Sequence, residues 1–331
     1  MVAVATVKPY TTVDEQVALL QRRGMVLDPS DASHWLRAVG YYRLSGYWYP
    51  WRLPGSADTS RRSDDFAPGT RFADVVALYE FDRKLRTLLH DGIERIEVGL
   101  RAHVGDLLAA KAPLAYRDPG TFRPTFDHRR WLTTARQRVA RASRHHTALQ
   151  HHQRAYGGDP PVWILTDVLD FRDTSMLYAG LRTEDQWTIA DALGVHVDLG
   201  ALQGNQREKA RRSHPLTRWF EQLTVIRNSV AHHARVWNRS FVPASTAALR
   251  AVPGLEELPE GQSEQLYGAL TLMGVLIESL SPGTSWPERV ERLFTEEFDT
   301  IPGRSRTEIG FPTDITAPQH LPRVELPTPA A

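Results

Sequence analysis

The run from Arg227 to Arg239 combines residue types that can cleave RNA without a metal ion. It places Arg227, Asn228 and His232 at the end of a predicted amphipathic helix. Cleavage by attack of the 2′-hydroxyl needs a base for the hydroxyl proton, a cation beside the phosphorane and an acid for the leaving 5′-oxygen. Histidine titrates near neutral pH, and arginine offers a fork of donors that matches phosphate oxygens. Arg227, Asn228 and His232 are therefore the candidate catalytic residues.

The spacing of this motif is a weak signal by itself. The same Arg-x4-His spacing recurs at Arg123/His128 and at Arg141/His146. A salt-bridged arginine and a buried histidine would also explain it. On a regular helix Asn228 and His232 share a face, whereas Arg227 lies about 140° from His232. Arg227 must therefore reach around the helix, or the active cleft must be wide and shared with another subunit.

The residues around the motif add context to this interpretation. A preceding apolar stripe predicts a helix anchored in a core: Leu216, Trp219, Phe220, Leu223 and Ile226. A rigid element of this kind suits a catalytic pair. His233 is a candidate accessory group, although it would point about 100° away from His232 on a regular helix. Arg235 and Arg239 are expected to contact the RNA backbone or to cap the helix end.

The segment 123–154 is a second candidate surface because it is strongly basic. Asp127 is its only carboxylate. Arginine makes bidentate contacts to phosphate, and its binding gains from counterion release. A solvated helix face in an arginine-rich protein is the alternative interpretation. The predicted RNA-binding residues of this segment are Arg129, Arg130, Arg136, Arg138, Arg141 and Arg144.

Other chemistry-bearing residues favour structural roles. The pairs His145/His146 and His151/His152 suggest a metal site, but no carboxylate or cysteine completes one. Neither a metal nor a cofactor is predicted. Glu94, Glu97 and Arg101 have ion-pair spacing on a long helix, which favours a structural network over general-base work. The aromatic block from Tyr41 to Trp51 could stack unpaired bases, but core packing of Tyr41, Leu44 and Trp48 is favoured.

Helical periodicity dominates the chain and predicts an all-α fold. The longest pattern runs from Phe72 to about Ala110, and another runs from Val162 to Leu181 with a break at Asp173-Thr174. Three regions are expected. Residues 1–70 form an N-terminal helical and aromatic segment packed on the core. Residues 71–285 form a helical domain with the basic insertion 123–154, and 286–331 form a proline-rich, extended or disordered tail.

Composition bounds the class of protein. The 331 residues carry a formal net charge of +1 and no cysteine, which excludes disulfides and favours a reducing compartment. No secretory signal is visible, and the longest apolar stretch, Ala269 to Leu280, is too short to span a bilayer. We therefore expect a soluble, cytoplasmic protein without membrane contact.

Four blocks in a fixed order resemble the Abi-like (AbiD/AbiF) abortive-infection proteins, a branch of the HEPN ribonucleases. The similarity covers roughly Tyr10 to Leu280. The blocks are the stretch Gly40 to Trp48, Phe81 to Arg86 with Ile93 to Val98, Pro160 to Trp163, and Arg227 to His233. The Arg-polar-x3-His motif of that family maps onto Arg227, Asn228 and His232. One departure is Ser229-Val230, where a small residue such as Cys is common in the family.

The resemblance implies an HEPN-type helical bundle with metal-independent endoribonuclease activity that leaves a 2′,3′-cyclic phosphate. It implies phage defence or toxin function, a homodimer, an RNA substrate, and an inhibitor that is either a small RNA or a protein antitoxin. The alternative is a non-catalytic RNA-binding or antitoxin-type protein of the same fold, which uses the basic segment.

Overall fold

The computed structural model describes residues 9–55 and 61–312, and these residues form α-helices joined by turns and short 3₁₀ segments without a β-strand. The predicted all-α fold is confirmed. The chain divides into two compact units. Unit 1 comprises Met1–Lys84 and Leu293–Ser305, and unit 2 comprises Leu85–Arg292 and Arg306–Ala331. The boundary at Lys84 falls within a helix rather than at residue 70.

Unit 1 contains the aromatic block in a helical core. Its helices are α1 (Val13–Arg22), α2 (Pro29–Ala38), α3 (Tyr41–Trp48) and the first part of α4 (Phe72–Lys111). Leu44 and Trp48 are fully buried. The ring of Tyr41 packs edge-on against Trp48 at 4.9 Å between centroids. The predicted core role of this block is confirmed, although the neighbouring Tyr42 is 92% exposed.

Unit 2 contains the rest of α4 and all the helices that carry the motif and the basic segment. They are α5 (His128–Ala142), α6 (Thr147–Ala155), α7 (Val162–Val168), α8 (Phe171–Gly180), α9 (Thr183–Ala192), α10 (Gly204–Arg212), α11 (Leu216–Ala231), α12 (Thr246–Arg250) and α13 (Leu266–Leu280). The backbone of α4 approaches α13 closely at Gly92. A Cβ there would lie 2.7 Å from Met273 Cε and 2.8 Å from Ile277 Cδ1. A larger residue at position 92 would therefore require the ends of these two side chains to move.

Side chains set two of the breaks between helices. The basic segment forms two helices, because α5 ends at Ala142 and the imidazole of His146 caps α6 by accepting from Leu149 N at 3.2 Å. The break before α8 lies at Leu169-Asp170, four residues earlier than expected. There the carboxylate of Asp173 accepts a hydrogen bond from Asp170 N at 3.2 Å, so Asp173 stabilises the first turn from inside the helix.

The segment after residue 285 corrects the prediction of an extended or disordered tail. Trp286–Glu296 form α14, and two 3₁₀ turns follow up to Ile309. Apolar residues at helical spacing explain this helix, since Trp286, Val290 and Phe294 are buried. The indole of Trp286 donates to Leu88 O at 2.8 Å. Residues 313–331, with most of the prolines of the predicted tail, lie outside the described residues.

Among the described helices, none combines the length and the apolar character that crossing a membrane would require.

Candidate active site

The start of α11 is fixed by a buried histidine. His214 has no exposed surface, and its Nδ1 accepts a hydrogen bond from Leu216 N at 3.1 Å. Its backbone N–H donates to Gln186 Oε1 at 2.9 Å. Burial lowers the pKa of His214 to about 3, so the imidazole is neutral in the folded protein. The motif helix therefore begins on an uncharged, fully enclosed anchor.

The body of α11 is held in the core of unit 2. The predicted stripe is confirmed, since each of its members is at most 2% exposed: Leu216, Trp219, Phe220, Leu223 and Ile226. The ring of Phe220 lies 5.3 Å from Tyr178 and 6.3 Å from Phe171, both on α8. On its other side the Gln222 amide donates to Val242 O at 2.7 Å. Packing and hydrogen bonds thus make α11 a rigid support.

The helix ends inside the motif, one residue before His232. α11 stops at Ala231, and His232 is the C-cap, with its N–H bonded to Asn228 O at 3.0 Å. The following residue, His233, has a φ of 55° and leaves the helix. The prediction that His233 continues a regular helix, about 100° from His232, is therefore wrong. A turn, rather than a helical surface, sets the direction of its imidazole.

The polar groups of the motif lie at the surface. Asn228, His232 and His233 are exposed, and Arg227 is partly exposed. Within residues 9–55 and 61–312, the side chains of Asn228 and His232 make no hydrogen bond or ion pair. Their donors and acceptors are available to a ligand. Arg227 and Asn228 thus lie on the last two turns of α11 and His232 at its C-cap, near the exposed end of the helix.

Arg227 faces a carboxylate that the sequence did not assign to it. Its Nε lies 3.8 Å from Glu97 Oε2, and Glu97 is 9% exposed. The same carboxylate pairs with Arg101, which donates to Leu169 O at 2.7 Å. Of the predicted network of Glu94, Glu97 and Arg101 on α4, the pair of Glu97 with Arg101 is confirmed and extends to the motif, whereas the Glu94 side chain has no partner among the described residues. The spacing within α4 predicted the pair of Glu97 with Arg101. No local pattern could predict the pair of Glu97 with Arg227, because these two residues are far apart in the sequence.

The turn after His233 is tied back to α11. Arg239 Nη1 donates to Ser229 Oγ at 3.1 Å, and its guanidinium lies 5.6 Å from the ring centre of Phe241. Arg235 lies 5.6 Å from the ring centre of Trp237, whose indole donates to Glu308 Oε2 at 3.1 Å. Of the two predicted roles of Arg239, contact with the helix end is present in the structure.

Tertiary contacts neutralise part of the basic segment. Arg138 bridges Asp170 and Asp173 at 2.7 Å each, and Arg141 lies 3.3 Å from Asp170. Arg136 lies 3.9 Å from Asp159. These carboxylates lie outside residues 123–154 in the sequence. The surface that the segment forms in the folded protein is therefore less basic than the sequence of the segment suggests. Arg138, with its buried partner Asp173, has a structural role.

The remaining arginines of this segment keep their charge available. Arg129, Arg130 and Arg144 are exposed, and within the described parts of the chain none of their side chains has an ion-pair or hydrogen-bond partner. Arg129 and Arg130 lie on the first turn of α5, and Arg144 lies directly after its C-cap. These three arginines form the exposed α5 arginine face.

The histidine pairs of this segment contribute to local structure. Besides the capping contact of His146, the ring of His152 has Nε2 3.2 Å from Asp159 O. Within residues 9–55 and 61–312, no three His, Asp or Glu side chains cluster closely enough to hold a metal ion.

The chain was compared with known protein families, curated proteins and solved structures. Searches of curated proteins and of solved structures found no match to the chain. A family model described as Abi-like protein matches residues 34–238, from α2 through the aromatic block, α4 and the basic segment to the turn after α11. This span covers more than half of the sequence and includes Arg227, Asn228 and His232. The chain belongs to the Abi-like protein family.

Proposed function

We propose that the protein is a metal-independent endoribonuclease of the HEPN type that acts in anti-phage abortive infection or as a toxin. The observation that carries the proposal is the end of α11. A helix buried along its length presents an arginine, an amide and an imidazole at its accessible end. Burial fixes the backbone, while the side chains of Asn228 and His232 remain available to a substrate.

Each motif residue has a chemical role in this reaction. His232 takes the proton of the 2′-hydroxyl, whose oxygen then forms a bond to phosphorus. The bond from phosphorus to the 5′-oxygen breaks, and an acid protonates that oxygen. Arg227 stabilises the added negative charge of the phosphorane, and Asn228 donates a hydrogen bond that orients the phosphate or the imidazole. The products are a 2′,3′-cyclic phosphate and a 5′-hydroxyl.

The contact between Arg227 and Glu97 supports a role in phosphate binding. A distance of 3.8 Å from Nε to the carboxylate is an ion pair longer than a hydrogen bond. It restrains the guanidinium from the Nε side and leaves the two terminal nitrogens for oxygens of the phosphate. Since Arg101 shares the carboxylate, Glu97 remains compensated when Arg227 turns to a substrate.

The exposed α5 arginine face is a proposed path for the RNA backbone. The helix α5 is linked to the motif through the neighbouring residues Leu169 and Asp170. Arg138 and Arg141 of α5 pair with Asp170. Arg101, which shares the Glu97 carboxylate with Arg227, donates to Leu169 O. Arg129, Arg130 and Arg144 would add non-specific affinity, as exposed arginines do on nucleic-acid-binding surfaces. Arg235 and Arg136 are further candidates for backbone contacts.

We also propose a homodimer and an inhibitor. Arg227 is directed to Glu97 on α4, whereas His232 caps the helix at the surface. A second copy of the chain could bring its arginine to this imidazole and form a composite site. A toxin of this kind needs control in the cell, by a small RNA or a protein antitoxin.

A second candidate function is RNA binding without cleavage. The exposed α5 arginine face favours it, because these residues do not belong to the motif and could bind RNA alone. An antitoxin-type protein would need no more than this surface. Cleavage assays separate the two functions.

The test uses purified protein, total RNA and EDTA. The proposal predicts cleavage in EDTA, with cyclic phosphate at one end and a 5′-hydroxyl at the other. Arg227→Ala and His232→Ala should each abolish cleavage while circular dichroism stays unchanged. His196→Ala is the matched control, because His196 is an exposed histidine that pairs with Asp191 outside the motif. Unchanged cleavage by His232→Ala contradicts the proposal, and loss of cleavage in EDTA indicates a metal-dependent reaction.

A further inference from the structure

The turn after α11 places a histidine where proteins usually place a glycine. His233 N donates to Val230 O at 3.0 Å, and Ala234 N donates to Ser229 O at 2.8 Å. Together these bonds form a Schellman motif, whose left-handed residue is His233 with a φ of 55°. Glycine is the common residue at that position because it has no Cβ to clash with the backbone.

A histidine at this position is unfavourable for the backbone. Left-handed residues other than glycine are uncommon, and in the described residues His233 and Asn238 have this conformation, both in the segment that follows α11. Asparagine and histidine adopt it more often than most residues with a side chain, but less readily than glycine does. Strained residues of this kind cluster at functional sites, and an observed outlier is a reason to look for a function of its side chain.

The reaction needs a second group that transfers protons. Internal attack on RNA requires one group to accept the 2′-hydroxyl proton and another to supply a proton to the 5′-oxygen. His232 provides one of them, and arginine cannot provide the other because it stays charged. His233 is exposed beside His232, in a turn held by two backbone hydrogen bonds.

We infer that His233 is the second proton-transfer residue of the site, a role that rests on the proposed ribonuclease function. His232 accepts the 2′-hydroxyl proton while the O2′–P bond forms. The P–O5′ bond then breaks, and protonated His233 gives its proton to the 5′-oxygen. Exchange with water returns both imidazoles to their starting states. Both proton transfers come from one chain, and a partner subunit would need to contribute only arginine.

Several charged groups lie around this turn, and they influence how proton transfer by its histidines depends on pH. Arg235 and Arg239 belong to the turn itself, and Arg227 lies on the last two turns of α11. Two carboxylates face them from packed elements. Glu97 of α4 lies beside Arg227, and Glu308 of the last 3₁₀ turn accepts a hydrogen bond from the Trp237 indole N–H. We assign the protonation of the 5′-oxygen to neither carboxylate, because Glu97 already pairs with two arginines and Glu308 already accepts a hydrogen bond from the indole.

The experiment replaces His233 with residues that keep the left-handed backbone. His233→Asn preserves a polar side chain that cannot transfer protons at neutral pH, and His233→Gly removes the side chain and the strain. We expect both variants to lose at least about a hundredfold in cleavage rate, as loss of a general acid does. His233→Gly should raise Tm by about 2 °C, since it relieves the left-handed backbone. His196→Asn is the control with the same chemical change.

The pH profile separates a catalytic role from a structural one. The wild type should show a bell-shaped dependence of kcat/KM, and residual cleavage by His233→Asn should lose one of the two limbs. A His233→Asn or His233→Gly variant that cleaves at the wild-type rate with both limbs overturns the inference. Absence of cleavage by both wild type and His196→Asn would instead reject the proposed ribonuclease function.

Discussion

Glu97 on α4 and Arg227 on α11 form an ion pair, with Nε and Oε2 3.8 Å apart. The carboxylate is nearly buried and also binds Arg101, so two guanidinium groups share one negative charge. Arg101 in turn donates to the backbone at Leu169, between α7 and α8. The candidate catalytic arginine is therefore linked to two other segments of unit 2, α4 and the connection between α7 and α8, and this linkage restrains its guanidinium.

Glu97→Gln should weaken the positioning of Arg227 without unfolding the protein. The amide keeps the shape of the side chain but loses its charge, so Arg227 becomes more mobile. We expect kcat to fall about tenfold, with a smaller change in KM, because a misplaced group acts mainly on the transition state. Steady-state cleavage of a short RNA measures both.

Glu94→Gln is the matched control for this variant, because Glu94 is exposed on the same helix and has no ion-pair or hydrogen-bond partner for its side chain among the described residues. It should cleave like the wild type. A Glu97→Gln enzyme with wild-type kcat would show that the pair with Arg227 has no part in positioning.

Mixing two inactive variants tests the composite site. If Arg227 of one subunit acts with His232 of the other, a heterodimer of Arg227→Ala and His232→Ala chains contains one intact site. After the chains are mixed and allowed to exchange, about a quarter of wild-type activity should return, since half the dimers are mixed and each has one of two sites. Each variant alone stays inactive. Activity that stays absent in verified heterodimers would place both residues in one subunit.

The arginines of α5 should divide into two classes. Replacing both Arg129 and Arg144 with Ala should weaken RNA binding across all sequences. The slope of log affinity against log salt should fall by about 1.4, since each phosphate contact on single-stranded RNA contributes about 0.7. Fluorescence anisotropy at several salt concentrations measures this slope, and an unchanged slope would exclude these residues from the interface.

Arg138→Ala should act on stability instead. It removes the partner of Asp173, a carboxylate that is 4% exposed, and of Asp170. Leaving such a charge uncompensated costs about 3 kcal/mol in the free energy of unfolding. Urea unfolding measures this loss, which the Arg129 and Arg144 variants should not show. A fully stable Arg138→Ala protein with a reduced salt slope would return Arg138 to the RNA-binding surface.

His214 should make the protein sensitive to acid. Burial lowers its pKa from the ordinary 6.5 to about 3, so below pH 6.5 the unfolded chain takes up a proton that the folded chain excludes. Its contribution to stability is therefore complete above pH 6.5 and declines as the pH falls toward 3. Between about pH 7 and about pH 5 the loss should be about 2 kcal/mol by urea unfolding.

His214→Asn provides the comparison, because its amide oxygen can still accept the Leu216 N–H but does not titrate. The variant should be less stable at neutral pH, since it leaves a cavity, and its stability should change less between the two pH values. Equal pH dependence in both proteins would mean that other groups cause the acid sensitivity.

The sequence by itself determined the features that depend on local periodicity. It predicted an all-α fold, a long helix from Phe72 to about Ala110 where α4 spans Phe72–Lys111, and the buried stripe of α11. Helix-forming patterns repeat every few residues, so a short window contains the information. The sequence also placed Arg227, Asn228 and His232 close together, because they lie within one and a half helical turns.

Only the tertiary structure decided what the charged and strained groups contact. Periodicity indicates that a face is buried but does not identify its partner, so the pairing of Glu97 with Arg227 could not be predicted. For the same reason the sequence could not indicate that Arg138 pairs with Asp170 and Asp173. His233 leaves the helix because the Schellman bonds of residues 229–234 require a left-handed residue there. Contacts between distant segments depend on the packing of the whole unit, which a local pattern does not encode.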